Sequence, residues 1–259
     1  CGVFRMLSAF ICIHFYKTKT AHIWFLPGKE RVALPMLKAE HISFSYTGRG
    51  SQEALRDLSL QIEPGECLAI VGRNGSGKST LLSLLAGSLK PGTGSIECAG
   101  KLGYVPQGNA LLEDLSVWEN VVFFAALGGI SKKDIPDPLP LGISSFRRKK
   151  IRALSGGMQK RVSIACALVA KPQILLLDEP CAALDIFWKM KALELFWEAK
   201  RAGVAILYVG HDFSEILRLS DGILFLDHGR QLFQRPLSQL PSSPIELEEL
   251  VRSLLPEEA

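Results

Sequence analysis

The chain has 259 residues, of which 47% are hydrophobic and 22% charged, and its formal net charge is +4. That is enough chain for one large domain or two small ones with a real core, and the composition is that of an ordinary globular protein. The small positive excess does not point to a polyanionic partner. The one tight basic run, Phe146 to Lys150, reads as a solvated helix face rather than a nucleic-acid patch, so no nucleic-acid partner is expected. Six cysteines without a CxxC pair argue against a disulfide framework or a zinc site, and they read as small buried residues in a reducing compartment.

The chain starts at Cys1. Its apolar run Val3 to Tyr16 carries Arg5 and His14 and is shorter than the roughly 20 residues of a membrane span. It also lacks the small-residue cleavage site of a signal peptide. Residues 1–35 are therefore expected to be a leader or upstream extension, with a peripheral membrane anchor as the alternative, and the working protein is expected to start near Met36. From there "LKAEHISFSY" and "ALRDLSLQIEP" alternate apolar and polar residues, as half-buried antiparallel strands do. "CLAIVG", Cys67 to Gly72, is a continuous apolar run, the pattern of a strand buried on both faces. A leucine-rich helix follows in "GKSTLLSLLAGSL", and "SIECAGKLGYVPQ" suggests a short strand pair.

The stretch from about Leu115 to Arg152 differs in character: helix-like at first, then broken by the prolines of "DIPDPLPLG". It reads as an inserted helical subdomain, about 115–155. Beyond it come a helix over about Gly157 to Ala170, the strand "QILLLDE", a helix over about Leu184 to Arg201, the strand "VAILYVG" and a short helix. "GILFLDHG" reads as the last strand, and a polar tail after Leu240 holds one amphipathic helix in "PIELEELVRSLL". Strands alternating with helices imply an α/β fold with a mostly parallel sheet covered on both faces.

Two segments are shaped for anions. "GRNGSGKST" fits G-x-x-x-x-G-K-[ST], and its nine residues Gly72, Arg73, Asn74, Gly75, Ser76, Gly77, Lys78, Ser79 and Thr80 form the expected nucleotide cradle. Glycines let the backbone wrap close to phosphates, and successive N–H groups point inward at a helix start. Lys78 would reach the β and γ phosphates, and the Ser79 hydroxyl would hold Mg²⁺. "ILLLDEP" then supplies Asp178 as a metal carboxylate and Glu179 as general base at the end of a buried strand. Gln107 and His211 end two other strands, where an open α/β sheet delivers residues to its ligand crevice, and are expected to touch the γ-phosphate and the attacking water. The second anion-shaped segment is "ALSGGMQKRV", with a serine and two glycines at a helix start.

This set of motifs resembles the nucleotide-binding subunit of an ATP-binding cassette (ABC) transporter, from about Leu37 to Leu240. The Walker A motif "GRNGSGKST", the Q-loop "YVPQ", the signature "LSGGM", the Walker B "ILLLDE", the D-loop "AALD" and the H-loop histidine in "GHD" occur in the family's order. The resemblance implies a P-loop NTPase (ABC ATPase) fold with an antiparallel β subdomain. It implies ATP and Mg²⁺ as ligands, with Ser79, Gln107 and Asp178 at the metal, and Tyr46 stacked on adenine. It also explains the second cradle. In the family two cassettes pack head to tail, so Ser155, Gly156 and Gly157 would hold the γ-phosphate of an ATP bound by a second ABC ATPase subunit, with Asp185 touching the facing site.

Lys78, Gln107, Glu179 and His211 would then carry hydrolysis. Its opening and closing would pass to integral membrane permease subunits through the groove beside Gln107, at the cytoplasmic face of the cell membrane. The non-transport ABC ATPases of cell division, cluster assembly or lipoprotein release are the alternative. Met158, Cys181 and Ile186 depart from the commoner family residues without removing a catalytic group. The stretch "LSVWENVVFFAALGG" resembles that of exporter-type cassettes, so export is favoured over import, although neither direction nor transported solute is written in the chain.

Overall fold

The computed structural model of the chain describes residues 35–46, 53–108 and 110–254; the expected leader, up to residue 34, lies outside the described residues. In chain order the strands are β1 Leu37–Ser45, β2 Glu53–Ile62, β3 Cys67–Val71, β4 Thr93–Cys98, β5 Leu102–Val105, β6 Ile174–Asp178, β7 Ala205–Val209, β8 Gly222–Asp227 and β9 Arg230–Pro236. The α-helices are α1 Lys78–Leu85, α2 Val117–Leu127, α3 Gly156–Val169, α4 Ile186–Arg201, α5 Phe213–Leu219 and α6 Pro244–Leu254. Three strands form an antiparallel sheet in the order β2-β1-β4, and six form the main sheet in the order β5-β6-β7-β3-β8-β9. All pairings in the main sheet are parallel except β8 with β9.

The period-2 geometry of a strand decides which core each residue enters. In β3, Leu68 and Ile70 face a core shared with α1 and the antiparallel sheet. Cys67, Ala69 and Val71 face the opposite core, shared with α2, α3, α4 and α5. Strands β3, β6, β7 and β8 are buried along their whole length, which is why they read as unbroken apolar runs. Leu81, Leu82, Leu84 and Leu85 of α1 pack into the first core together with β1 and β2.

Three expectations are corrected. The segments read as a strand pair in "SIECAGKLGYVPQ" belong to different sheets: β4 pairs with β1, and β5 with β6. "GILFLDHG" is not the last strand, because His228 and Gly229, both at positive φ (43° and 75°), turn the chain into β9. Two consecutive left-handed residues make the tight hairpin turn that matches strand twist. The basic run is not a helix face either. Arg147 to Lys150 are exposed, but the backbone there bonds across to residues 113–118, as in Trp118 N–H to Arg147 O (2.9 Å).

The expected helical subdomain holds one regular α-helix, α2, followed by short 3-10 turns at Lys132–Asp134, Pro140–Phe146 and Ile151–Ala153. Helix α2 starts with a capping box, Ser116 and Glu119 bonding reciprocally. In the tail, Leu247 and Val251 of α6 are buried in the second core. Among the described residues, no helix is long and apolar enough to cross a membrane. Leu207, fully buried in β7, should lose about 2–5 kcal/mol on Leu207→Ala. The half-exposed Leu232 of β9 should lose under about 1 kcal/mol on the same change, a contrast readable by urea unfolding.

Candidate functional site

The parallel register of β5, β6, β7 and β3 brings the C-terminal ends of four strands to one edge of the sheet. After β3 comes the Gly72–Thr80 loop, after β5 Gln107, after β6 Glu179, and after β7 His211. A cleft of about 770 Å³ opens there, lined by Tyr46, by Asn74, Gly75 and Gly77 to Thr80 of the loop, and by Gln107, Asp178 and Glu179. Gly72, Arg73 and His211 border a neighbouring cavity that reaches α6, and Ser76 is buried beneath the loop. Ser155, Gly156, Gly157 and Asp185 are not among the described residues lining the cleft.

The loop is held in shape by close backbone approaches. Gly77 has φ 105°, and a Cβ there would sit 2.6 Å from Ala54 O. A Cβ on Gly72 would sit 2.0 Å from Leu226 O. The β8–β9 turn braces the loop from outside: Gly229 N–H donates to Ser76 O (2.9 Å), while Arg56 N–H donates to Gly229 O (2.8 Å). Lys78, the first residue of α1, folds back so that its ammonium donates to Gly72 O and Arg73 O, both at 2.7 Å. Burial lowers its pKa, against the pull of Glu179 and Asp178. Tyr46 is half-exposed, donates or accepts with Thr80 Oγ1 at 3.1 Å, and meets Phe44 edge-on.

Glu179 is the hub of the acidic end. Its φ of 46° is left-handed, a conformation costing about 1–3 kcal/mol for such a residue. Its amide is tied to Val209 O (2.9 Å). Both carboxylate oxygens are taken: Gln107 Nε2 donates to Oε2 (3.1 Å), and His211 Nε2 lies 3.0 Å from Oε1. Asp178, buried beside it, has its pKa raised chiefly by burial, with a hydrogen bond from Ser79 opposing the rise. A buried carboxylate paired with a hydroxyl is a hard-oxygen site that a small cation would relieve. Among the described residues no three His, Cys, Asp or Glu side chains are arranged so as to hold a metal ion by themselves.

The signature and D-loop residues cap helices. Ser155 Oγ accepts from Met158 N–H (3.3 Å) at the start of α3, and Asp185 Oδ1 accepts from Trp188 N–H (3.0 Å) at the start of α4. Gly157 must be glycine for a reason inside the chain, since its Cβ would lie 2.7 Å from Ala183 O of the D-loop. Gly156 has no such reason: a Cβ there meets nothing within 4 Å.

A match to the ABC transporter family model covers residues 55–182. The chain is 38% identical over 221 residues to the taurine import ATP-binding protein of Shigella sonnei, covering 78% of this chain and 85% of that one. The chain is an ABC transporter ATP-binding subunit. It is 36% identical over 229 residues to the molybdate/tungstate import ATP-binding protein of Pyrococcus horikoshii, covering 79% of this chain and 65% of the relative. The dimeric structure of a post-hydrolysis ATP-binding cassette with ADP and Pi superposes with a TM-score of 0.66 at 26% identity, over 78% of this chain and 99% of that one. The chain accordingly binds and hydrolyses ATP.

Two groups at the site escaped sequence reasoning. Lys160 is buried in α3 and donates to Pro106 O (2.9 Å) and Gln107 O (3.0 Å), so the signature helix holds the Q-loop by its carbonyls. A signal existed: Lys160 lies one turn before Ile164 on the inward face of α3, and a buried cation requires partners. His228 lines the cleft from the β8–β9 turn, a hairpin whose second strand is too polar to mark itself in the sequence. Gly77→Ala combines positive φ with a backbone clash, whereas Gly75, at φ 80°, faces open space. Titration with a fluorescent ATP analogue should therefore show Gly77→Ala losing binding, while Gly75→Ala bears only the left-handed strain of about 1–2 kcal/mol.

Proposed function

We propose that this ABC ATPase drives import through a separately encoded membrane permease, and that it works as a pair of cassettes at the cytoplasmic face of the membrane. The observation that carries the reading is the grip on Glu179, whose two oxygens are held by Gln107 and His211 beside a P-loop. Import is favoured by the relatives named for uptake of taurine and of molybdate/tungstate. The exporter-like look of Leu115–Gly129 carries no weight against this, because Val117, Val121, Phe124 and Ala125 spend its apolar character on packing α2 into the core. The diversity of the relatives' cargo leaves the solute to the permease.

In this reading the nine residues from Gly72 to Thr80 cradle the phosphates and Tyr46 stacks on the adenine. Lys78 leaves its two carbonyls for the β and γ phosphates, which replace a weak neutralisation with a strong one. Ser79, Asp178 and Gln107 would hold Mg²⁺, which supplies charge neutralisation at the phosphates. Glu179 takes a proton from the attacking water, and His211 fixes the carboxylate that does so. Positioning and electrostatics account for most of phosphoryl transfer, so a rigid carboxylate is the group to test.

Ser155, Gly156 and Gly157 complete the site of the second cassette, and Asp185 reaches toward it. Support comes from Gly156, which nothing in its own chain compels to be glycine. The groove beside Gln107 would carry motion to the permease, since Lys160 links the Q-loop to the helix that starts at the signature. Glu179→Gln keeps the size of the side chain but removes the base and leaves one accepting oxygen where the carboxylate had two. Light scattering after gel filtration should find this variant monomeric without nucleotide and dimeric with Mg-ATP, with ATP turnover lost. Full turnover in Glu179→Gln would overturn the assignment.

A further inference from the structure

Behind Glu179 and His211 lies a second polar cluster that the motifs do not account for. Lys189 of α4 lies 3.0 Å from Asp212 Oδ2 and 2.6 Å from Glu215 Oε1. Glu215 is 5% exposed, and its other oxygen accepts the hydroxyl of the fully buried Tyr208. Asp212 directly follows His211 and caps α5 by accepting from Ser214 N–H (3.0 Å). The Tyr208 ring lies directly under the backbone that leads to His211, since a Cβ on Gly210 would sit 2.6 Å from Tyr208 Cε1. A cavity of about 140 Å³ joins this cluster to Glu179 and His211.

A charged group this enclosed is costly unless fully paired, and the pairs here are charge-assisted. Burial pushes Asp212 up, but hydrogen bonds from Ser214 and Lys189 outweigh it and bring its pKa to about 2. The Lys189 pKa is raised, with its hydrogen bond to Glu215 the largest cause. Asp212 and Lys189 are thus both ionised throughout the neutral range. Lys189 is one turn from Asp185, the cap of its own helix, and Lys189 N–H donates to Asp185 O (2.8 Å). One side chain therefore joins the helix that begins at the D-loop to the turn that carries His211.

We propose that Lys189 is a positioning residue for hydrolysis: through Asp212 and Glu215 it fixes the His211 turn, and so the Glu179–His211 contact, relative to the D-loop. The inference rests on the roles proposed above for Glu179 and His211. Movement of α4 then shifts the histidine, which gives the D-loop a physical route to the chemistry of its own chain.

The test is steady-state ATP hydrolysis by the purified full-length chain carrying Lys189→Met, Lys189→Arg, Asp212→Asn or Glu179→Gln. Lys189→Met should lower kcat about tenfold, because small misplacement of a reacting group costs up to about a hundredfold. KM for ATP should stay within about twofold, since the P-loop is untouched. Lys189→Arg should restore most of kcat. Asp212→Asn keeps a capping side chain while weakening the ion pair, and it reads the same coupling if Lys189→Met does not fold. A lowered melting temperature with unchanged kcat, in Lys189→Met or in Asp212→Asn, would overturn the proposal and leave a purely structural cluster. If Glu179→Gln keeps its turnover, the underlying site assignment fails instead, so the two failures are told apart.

Discussion

Parallel pairing of β5, β6, β7 and β3 is the constraint on which the rest of the molecule depends. Parallel strands in one sheet point their carboxyl ends the same way, so whatever follows each strand is delivered to one edge. Here those residues are the phosphate loop, Gln107, Glu179 and His211. Register makes the delivery accurate. Asp178 pairs with Val209 and Val105 with Leu177, so the last residues of neighbouring strands lie side by side. A sheet buried on both faces cannot slip by one residue without exchanging its two cores.

The same edge concentrates strain. Glu179 is held at positive φ, and Gly72 and Gly77 lie where no side chain fits. These costs are offset by surroundings that over-determine the geometry: the tie of Glu179 N–H to Val209 O, the brace of Gly229 on Ser76, and the grip of Gln107 and His211 on the carboxylate. Lys160 and Lys189 extend this framework to α3 and α4, the two helices whose first residues form the signature and the D-loop cap. The signature and the D-loop are thereby each joined by a lysine to the edge that carries the cleft, though neither lines the cleft itself.

The sequence was legible where local chemistry decides the outcome. Continuous apolar runs marked β3, β6 and β7, and the glycines with Lys78 and Ser79 marked the loop. It was less legible where partners lie far away in the chain. Nothing near β4 says that it joins β1 while β5 joins β6, since both runs are short. Strand β9 is exposed and polar, so its only local mark is the His228-Gly229 turn. Lys189 looks like an ordinary helix-surface lysine until the fold brings Glu215 to it, and Lys160 is marked only by its place one turn before Ile164, with no hint of the carbonyls it meets. Arg147 to Lys150 misled in the opposite direction, because charge density says nothing about backbone shape.

In the reading proposed above, one chain carries two half-sites belonging to two different ATP molecules. The most direct test is complementation between two inactive chains. Lys78→Ala disables the phosphate loop but leaves the signature intact; Gly156→Asp puts a carboxylate in the signature cradle but leaves the loop intact. Neither should hydrolyse ATP alone, and their mixture should regain activity from the one site built of two undamaged halves. A mixture that forms mixed dimers yet stays as inactive as its components would contradict the two-cassette reading.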